Sequence, residues 1–391
     1  AEGVLELHPN GFGFLRKLEL GGAISPGDAY VSPDLIRRYW LRDGALVTGE
    51  LVDQGPPRGD RGYDRRNGYG RPERNDRGQG PRLQSILTIE GEEAKDSRPG
   101  ADFDRLTPID PKERLVVETR RDQLTTRVMD LFTPIGKGTR GLIVAPPRTG
   151  KTFLIQHVAE SIAQNHPECI LYVLLIDERP EEVTDMTRTI KGGKVYASSN
   201  DRDTYSHARL AQLVVARAKR QAERGKDVVI LLDSITRLAR AYNKNVGSTG
   251  RTMTGGLDVR ALDQPKRLFG QARAFDEGGS LTILGTALIE TGSKMDDIIF
   301  QEFKGTGNME LVLDRKLADR RTFPAIDLSQ SGTRKEERLL PAEDLKRITL
   351  LRRSMTRLSY VDGMEQLLRQ MEKYETNADF LNQLDRFTRG T

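Results

Sequence analysis

The stretch Gly141-Leu-Ile-Val-Ala-Pro-Pro-Arg-Thr-Gly-Lys-Thr152 constrains this chain more than any other. Residues 141–145 form a continuous apolar run, as expected of a strand buried on both faces. The run passes through Ala145-Pro-Pro-Arg-Thr-Gly150-Lys151-Thr152 directly into a helical pattern. Leu154, Ile155, Val158, Ala159 and Ile162 fall on one face of that helix. This is the spacing of a phosphate-binding loop, with Ala145 where its first glycine usually stands. Backbone N–H groups at such a helix start form an anion nest. Pro147, Arg148, Thr149, Gly150, Lys151, Thr152 and Phe153 are therefore the expected ATP-binding stretch. Lys151 brings a charge to the β- and γ-phosphates, and Thr152 offers a hydroxyl to Mg²⁺.

The rest of 115–391 reads as α/β. Further continuous apolar runs lie at 170–176, 228–232 and 281–287, with an amphipathic helix over 207–224. Strand–helix alternation implies a parallel sheet with right-handed crossovers. The third run ends in Asp233, a second expected Mg²⁺ ligand. The second ends Ile176-Asp177-Glu178-Arg179-Pro180-Glu181-Glu182. Strand ends line the ligand crevice in such sheets, so a carboxylate there can polarise an attacking water. Glu178 is the chosen base; spacing alone leaves Asp177 and Glu181 open.

The first 90 residues differ. Short runs at 3–7, 13–18, 29–31, 45–51 and 83–89 suit a small β barrel. An Arg/Gly insert at about 54–81 interrupts it. From Pro56 to Arg82 there are eight Arg, no Lys and four acids, with nothing aliphatic, so this segment is expected to be disordered. It carries much of the chain's formal charge of +5. Residues 91–114 read as a linker. The single Cys169 excludes a disulfide framework and a cysteine zinc site. No run approaches the roughly 18 apolar residues of a membrane helix. No signal peptide opens the chain, so a cytoplasmic protein is expected. The start at Ala1, already inside a strand-like run, suggests that further residues precede it. Asn10-Gly-Phe-Gly-Phe-Leu-Arg16 places Phe12 and Phe14 on one face of a strand. Two exposed rings there would stack bases; two inward rings would only fill the barrel.

At this point the chain resembles the bacterial Rho family of transcription termination factors, hexameric RecA-type RNA helicases. The resemblance covers nearly the whole chain. It is carried by 141–152, Asp177-Glu-Arg-Pro-Glu-Glu-Val183, Leu232-Asp-Ser-Ile-Thr-Arg-Leu-Ala-Arg-Ala-Tyr-Asn243, Thr291-Gly-Ser-Lys-Met295, Glu302-Phe-Lys-Gly-Thr-Gly-Asn-Met-Glu310, Phe323-Pro-Ala-Ile-Asp327 and Ser331-Gly-Thr-Arg334. It implies a RecA-like P-loop ATPase core behind an OB or cold-shock-like barrel. Glu178 looks like the family's catalytic glutamate, and Arg334 like an arginine finger supplied to the neighbouring subunit. Arg179 and Arg321 look like other arginines of that interface site, and Phe323 like the aromatic stacked on adenine. Phe14, Arg16, Asp28 and Tyr30 match base-contacting residues of a site for pyrimidine-rich RNA, with Phe12 beside them. The family's further aromatic after the insert is replaced by Leu83, which would give the base pocket an aliphatic wall. Arg251, Thr252, Thr254 and Gly255 resemble one RNA-binding pore loop, and Lys294 another. The family's amino-terminal helical segment has no counterpart in this sequence.

The expected protein is thus an ATP- and Mg²⁺-dependent RNA translocase and 5′→3′ RNA–DNA helicase. It would form a homohexameric ring, engage the RNA polymerase elongation complex and have no membrane partner. Two rivals stand beside it: a rotary or DNA-acting ATPase of the same core, and a passive RNA-binding protein with a silent motor.

Overall fold

The computed structural model describes residues 1–52, 81–95, 100–246, 255–258, 260–355 and 357–388. Residues 54–80 of the proposed insert, with the disorder expected of them, and Arg251, Thr252 and Thr254 lie outside the described residues.

Alternation of apolar and polar residues folds the amino-terminal part into a barrel. Its strands are β1 (Glu2–Leu7), β2 (Gly13–Arg16), β3 (Ala29–Val31), β4 (Leu46–Val52) and β5 (Arg82–Ile89). They run in the order β3-β2-β1-β4-β5, and β3 closes on β5 through Tyr30 and Arg82. Leu5, Leu15, Val31, Val47, Leu83 and Ile86 fill the interior. Helix α1 (Pro33–Arg38) starts at Ser32, whose hydroxyl accepts from Leu35 N, with Pro33 at the first helical position.

The expected linker is not a free tether. Strand β6 (Glu92–Glu93) pairs with β5. Phe103 is fully buried among motor residues and packs edge-on against Phe275 at 4.8 Å. Strand β7 (Pro108–Ile109) pairs with Arg273–Phe275, and β8 (Arg114–Leu115) with β9 (Ile135–Gly136). Helix α2 (Leu124–Phe132) lies between β8 and β9 in the chain.

The motor then alternates as the apolar runs require: β10 (Arg140–Ala145), α3 (Lys151–Asn165), β11 (Ile170–Glu178), α4 (Pro180–Thr189), β12 (Lys194–Ser199), α5 (Thr204–Ala222), β13 (Asp227–Asp233), α6 (Ile235–Asn245), α7 (Asp263–Phe269), β14 (Arg273–Phe275), β15 (Ser280–Leu288), α8 (Lys294–Phe303), β16 (Met309–Val312), α9 (Arg315–Asp319) and β17 (Gly332–Thr333). Six strands pair in parallel in the order β12-β11-β13-β15-β10-β16, with β17 antiparallel at the edge. Odd and even residues pack to opposite faces. Ile143, Val173, Leu175, Val229 and Leu231 enter one core; Leu142, Leu174, Ile176, Ile230 and Leu232 enter the other. Both faces are therefore dry, which is why these strands lack polar alternation. Helix α6 comes so close to β15 that a Cβ on Gly285 would lie 2.3 Å from Ile235 Cδ1. Helices α10 (Ala342–Met355), α11 (Tyr360–Met371) and α12 (Asn377–Thr388) close the chain. No described helix is long and apolar enough to cross a membrane.

The barrel sits directly on the motor. Glu6 meets Arg209 of α5 at 3.0 Å, and Arg217 of α5 donates to Glu90 at 2.6 Å. Backbone approaches backbone there: a Cβ on Gly44 would lie 2.3 Å from the Ala216 carbonyl carbon.

Candidate nucleotide site and nucleic-acid surface

The loop between β10 and α3 has the strained backbone its glycine foretold. Gly150 adopts φ 88° and Arg148 φ 65°, and Thr149 Oγ1 ties the turn by donating to Pro146 O at 2.7 Å. Lys151 opens α3 and aims at the ends of two neighbouring strands. Its Nζ lies 2.5 Å from Asp233 Oδ1, 2.6 Å from Oδ2 and 3.3 Å from Glu178 Oε1. Thr286 Oγ1 on β15 donates to Asp233 at 2.7 Å. Burial alone would lower the Lys151 pKa, but the two carboxylates outweigh it and hold the ammonium above its ordinary range.

Three acids competed for the role of base, and their placement separates them. Glu178 is 2% exposed and faces Lys151. Asp177 takes φ 59°, and its carboxylate lies 3.9 Å from His207. Glu181 is exposed on the first turn of α4. Burial, reinforced by the Asp233 charge, pushes Glu178 up to about 7, against the pull of Lys151 and Arg237.

Arg237 was quoted in the sequence motif without a role. It lies 3.0 Å from Glu178 Oε2 and also donates to Asp177 O. One turn further along α6, Arg240 binds Asp296, which also accepts from Thr291 Oγ1 at 2.6 Å. The signal was present in sequence: Asp233-Ser-Ile-Thr-Arg237 puts an arginine on the first turn after the acidic strand end.

A cleft of about 640 Å³ opens beside the loop, lined by Pro147, Thr152, Phe153, Arg321, Phe323 and other residues. Phe323 is 45% exposed and lies 3.6 Å from where a Cβ on Gly150 would stand. Phe153 is 67% exposed. Arg321 shares this cleft, in φ 60° backbone. Arg179 is exposed at the start of α4, next to Glu178. Arg334 is elsewhere. Its N–H donates to Asn308 O at 2.7 Å, at the end of the sheet where β10 and β16 begin. The six residues of β10, at about 3.3 Å each, hold it roughly 20 Å from its own phosphate loop.

The barrel carries an aromatic cluster on its outer face. Phe12, Phe14 and Tyr30 are each half-buried. Their ring centroids are 5.6 to 5.9 Å apart, and His8 stacks on Phe12 at 4.3 Å. Arg16 and Asp28 form a buried pair at 2.6 Å behind these rings, with the Arg16 guanidinium 4.7 Å from the Phe14 centroid. Glu6 Oε2 also meets Arg16, and Ser25 N donates to Asp28. The expected aliphatic wall at Leu83 is corrected: Leu83 is 2% exposed and points into the barrel core. Strand alternation turns its neighbour outward instead, so Arg82 lies 5.7 Å from the Tyr30 ring. Of the two pore segments, Gly255 and Lys294 are described, and they adjoin. A Cβ on Gly255 would lie 3.1 Å from Met295 N and 3.2 Å from the Lys294 carbonyl carbon.

Fold and site together define a P-loop ATPase joined to a barrel with an aromatic cluster on its outer face. Residues 125–333 match the ATP synthase alpha/beta family nucleotide-binding domain, and residues 1–92 match the Rho termination factor RNA-binding domain. The transcription termination factor Rho of Cereibacter sphaeroides is 48% identical over 98% of this chain and 87% of its own length. That of Escherichia coli K12 is 48% identical over 98% and 88%. A type III secretion ATPase shares the fold at TM-score 0.58 and 20% identity, over 77% of this chain and 91% of its own. An ATP synthase subunit of Nanoarcheaum equitans does so at 0.59 and 16%, over 71% and 79%. The chain belongs to the family of Rho transcription termination factors. It is an RNA-binding, RNA-dependent ATPase and helicase that terminates transcription.

Proposed function

We propose that this chain works as a homohexameric ring in the cytoplasm, with Glu178 as the base and ATP bound between adjacent subunits. The observation that carries the reading is the convergence of Lys151, Glu178 and Asp233 at two neighbouring strand ends. A phosphoryl group arriving on the loop draws Lys151 Nζ away from Asp233. Glu178 then accepts a proton from the attacking water, while Arg237 and Lys151 fix the orientation of its carboxylate. The Thr152 hydroxyl and the Asp233 carboxylate are hard oxygen donors, which suit Mg²⁺ held mainly by phosphates and water. When bound, the ion neutralises charge on the transferring phosphate. Phe323 offers a stacking face for adenine, with Arg321 in the same cleft and Arg179 beside the base.

Arg334 acts on the ATP of the next subunit, since its own phosphate loop lies at the far end of β10. A heterologous interface that closes by rotation makes such a ring. Single-stranded RNA is captured on Phe12, Phe14 and Tyr30, where Asp28 Oδ1 can accept from a cytosine amino group while Arg16 holds the other carboxylate oxygen. RNA then threads past Gly255 and Lys294, with Arg251, Thr252 and Thr254 on the same loop as Gly255. The motor moves 5′→3′ toward the RNA polymerase elongation complex.

Two expectations follow. Ionised Glu178 is the active form and its pKa is about 7. ATPase at limiting ATP should therefore fall about tenfold per unit as pH drops below 7, and level off above it. A pH profile of kcat/KM flat from 5.5 to 8 would remove Glu178 from that role. The insert leaves β4 after Val52, which pairs with Arg82 beside Tyr30. Val52 and Arg82, the described residues that flank the insert, therefore lie at the stacking face. Deleting residues 56–80 should weaken RNA binding several-fold at low salt and flatten the salt dependence. Unchanged affinity and slope would leave the insert without an RNA role.

A further inference from the structure

Several arginines near functional groups of this chain meet carboxylates: Arg16 with Asp28, Arg237 with Glu178, Arg240 with Asp296. The amino-terminal end of the parallel sheet departs from this. Arg140 opens β10, Arg273 opens β14 and Arg334 follows β17. Among the described residues none of the three is paired with a carboxylate. Arg334 Nη2 donates to Gly305 O at 3.3 Å. Arg273 Nη2 donates to Gly270 O at 3.1 Å, and its guanidinium lies 5.4 Å from the Phe103 ring. Arg140 Nε is buried without a hydrogen-bond partner among the described residues.

The backbone holds this cluster in place. Arg140 N donates to Asn308 Oδ1 at 2.9 Å, Asn308 N donates to Arg140 O at 2.9 Å, and Arg334 N donates to Asn308 O at 2.7 Å. Between them lies a cavity of about 260 Å³, lined by Arg140, Asn308, Thr333 and Arg334 among others. The carboxylate on its rim, Asp110, is already shared by Lys335 at 2.8 Å and Arg338 at 2.9 Å. Burial lowers the Arg140 pKa, and the charges of Arg273 and Arg334 add to the effect. Uncompensated positive charge facing a cavity costs the isolated subunit stability. An anion from outside the chain would relieve that cost.

We propose that Arg140 is a second cation supplied in trans, which together with Arg334 receives the terminal phosphate of ATP held by the neighbouring subunit. This rests on the reading that Arg334 serves the adjacent site. The chemistry asks for more than one cation. The transferring group spreads charge over three equatorial oxygens, and a single guanidinium fork takes two. Arg273, stacked on Phe103, adds field without contact.

The test uses the assembled protein. Arg140→Gln should lower kcat about 10- to 100-fold with little change in KM for ATP. It should leave RNA affinity of the barrel unchanged and should not lower Tm, because an uncompensated charge has gone. Unchanged kcat, or a lower Tm that accounts for the loss, would overturn the proposal; a fall in RNA affinity would assign the cavity to RNA phosphate instead. Mixed rings then locate the action. Arg140→Gln subunits are co-assembled with Lys151→Ala subunits, and ADP–aluminium fluoride retained on the intact loops is counted. Retention restored above that of either variant alone is expected. Restoration for Arg334→Ala mixed with Lys151→Ala, but not for Arg140→Gln, would sink the role of Arg140 and leave Arg334 standing. Restoration for neither would remove the in-trans reading itself.

Discussion

Lys151→Ala should abolish ATP turnover, by at least about 10³-fold in kcat, while barrel binding of single-stranded RNA stays within about twofold of the parent. The size follows from what Lys151 touches. It is the cation that joins the phosphate loop to Asp233 and Glu178, at 2.5 and 3.3 Å. Its removal also leaves two buried carboxylates facing one another with Arg237, beside Glu178, as the remaining counter-charge. Glu178 should then stay protonated above pH 7, so the base is lost together with the phosphate contact. The aromatic face lies on the barrel and shares no residue with this constellation, so RNA capture is spared. Filter binding and steady-state ATPase on one preparation read both halves. Joint loss would instead mean that the substitution unfolds the chain.

Phe14→Ala should raise the Kd for short single-stranded RNA about 10- to 100-fold, the range of one lost base-stacking contact. Phe14 is placed for this effect because its ring meets both Phe12 and Tyr30, at 5.7 and 5.9 Å, with Arg16 behind it. Its loss removes a stacking surface and loosens two others. Turnover at saturating RNA should change little, because the pore segment around Gly255 and Lys294 is untouched. A lower kcat with unchanged Kd would place the role of Phe14 in the barrel's packing rather than in RNA contact.

The strands whose residues are buried on both sides were legible as unbroken apolar runs: β10, β11, β13 and β15. The phosphate loop was legible because strand, glycine and lysine must occur at fixed spacing. The strands toward the two margins of the sheet were not. β12 carries Lys194, Ser198 and Ser199, and β16 has only four residues, so neither stands out by composition. What fastens residues 91–114 was not legible for a different reason. Residues 91–114 are polar in sequence, yet Phe103 anchors them to the motor, and one buried ring is not a periodic signal.

Within the site, one dimension could name Glu178, Asp177 and Glu181 but could not choose among them by spacing. Backbone direction distinguishes their placement: Asp177 at φ 59° turns aside, and Glu178 faces Lys151. Leu83 shows the same limit. The family resemblance suggested the base pocket, but strand alternation sends its side chain inward and Arg82 outward. The charge cluster around Arg140 depends on residues distant in sequence, and no local pattern announces it.

If an RNA-reading barrel governs this P-loop motor, steady-state ATPase should be strongly stimulated by poly(C), less by poly(U) and little by poly(dC). Equal stimulation by poly(dC), or turnover indifferent to all three, would contradict it.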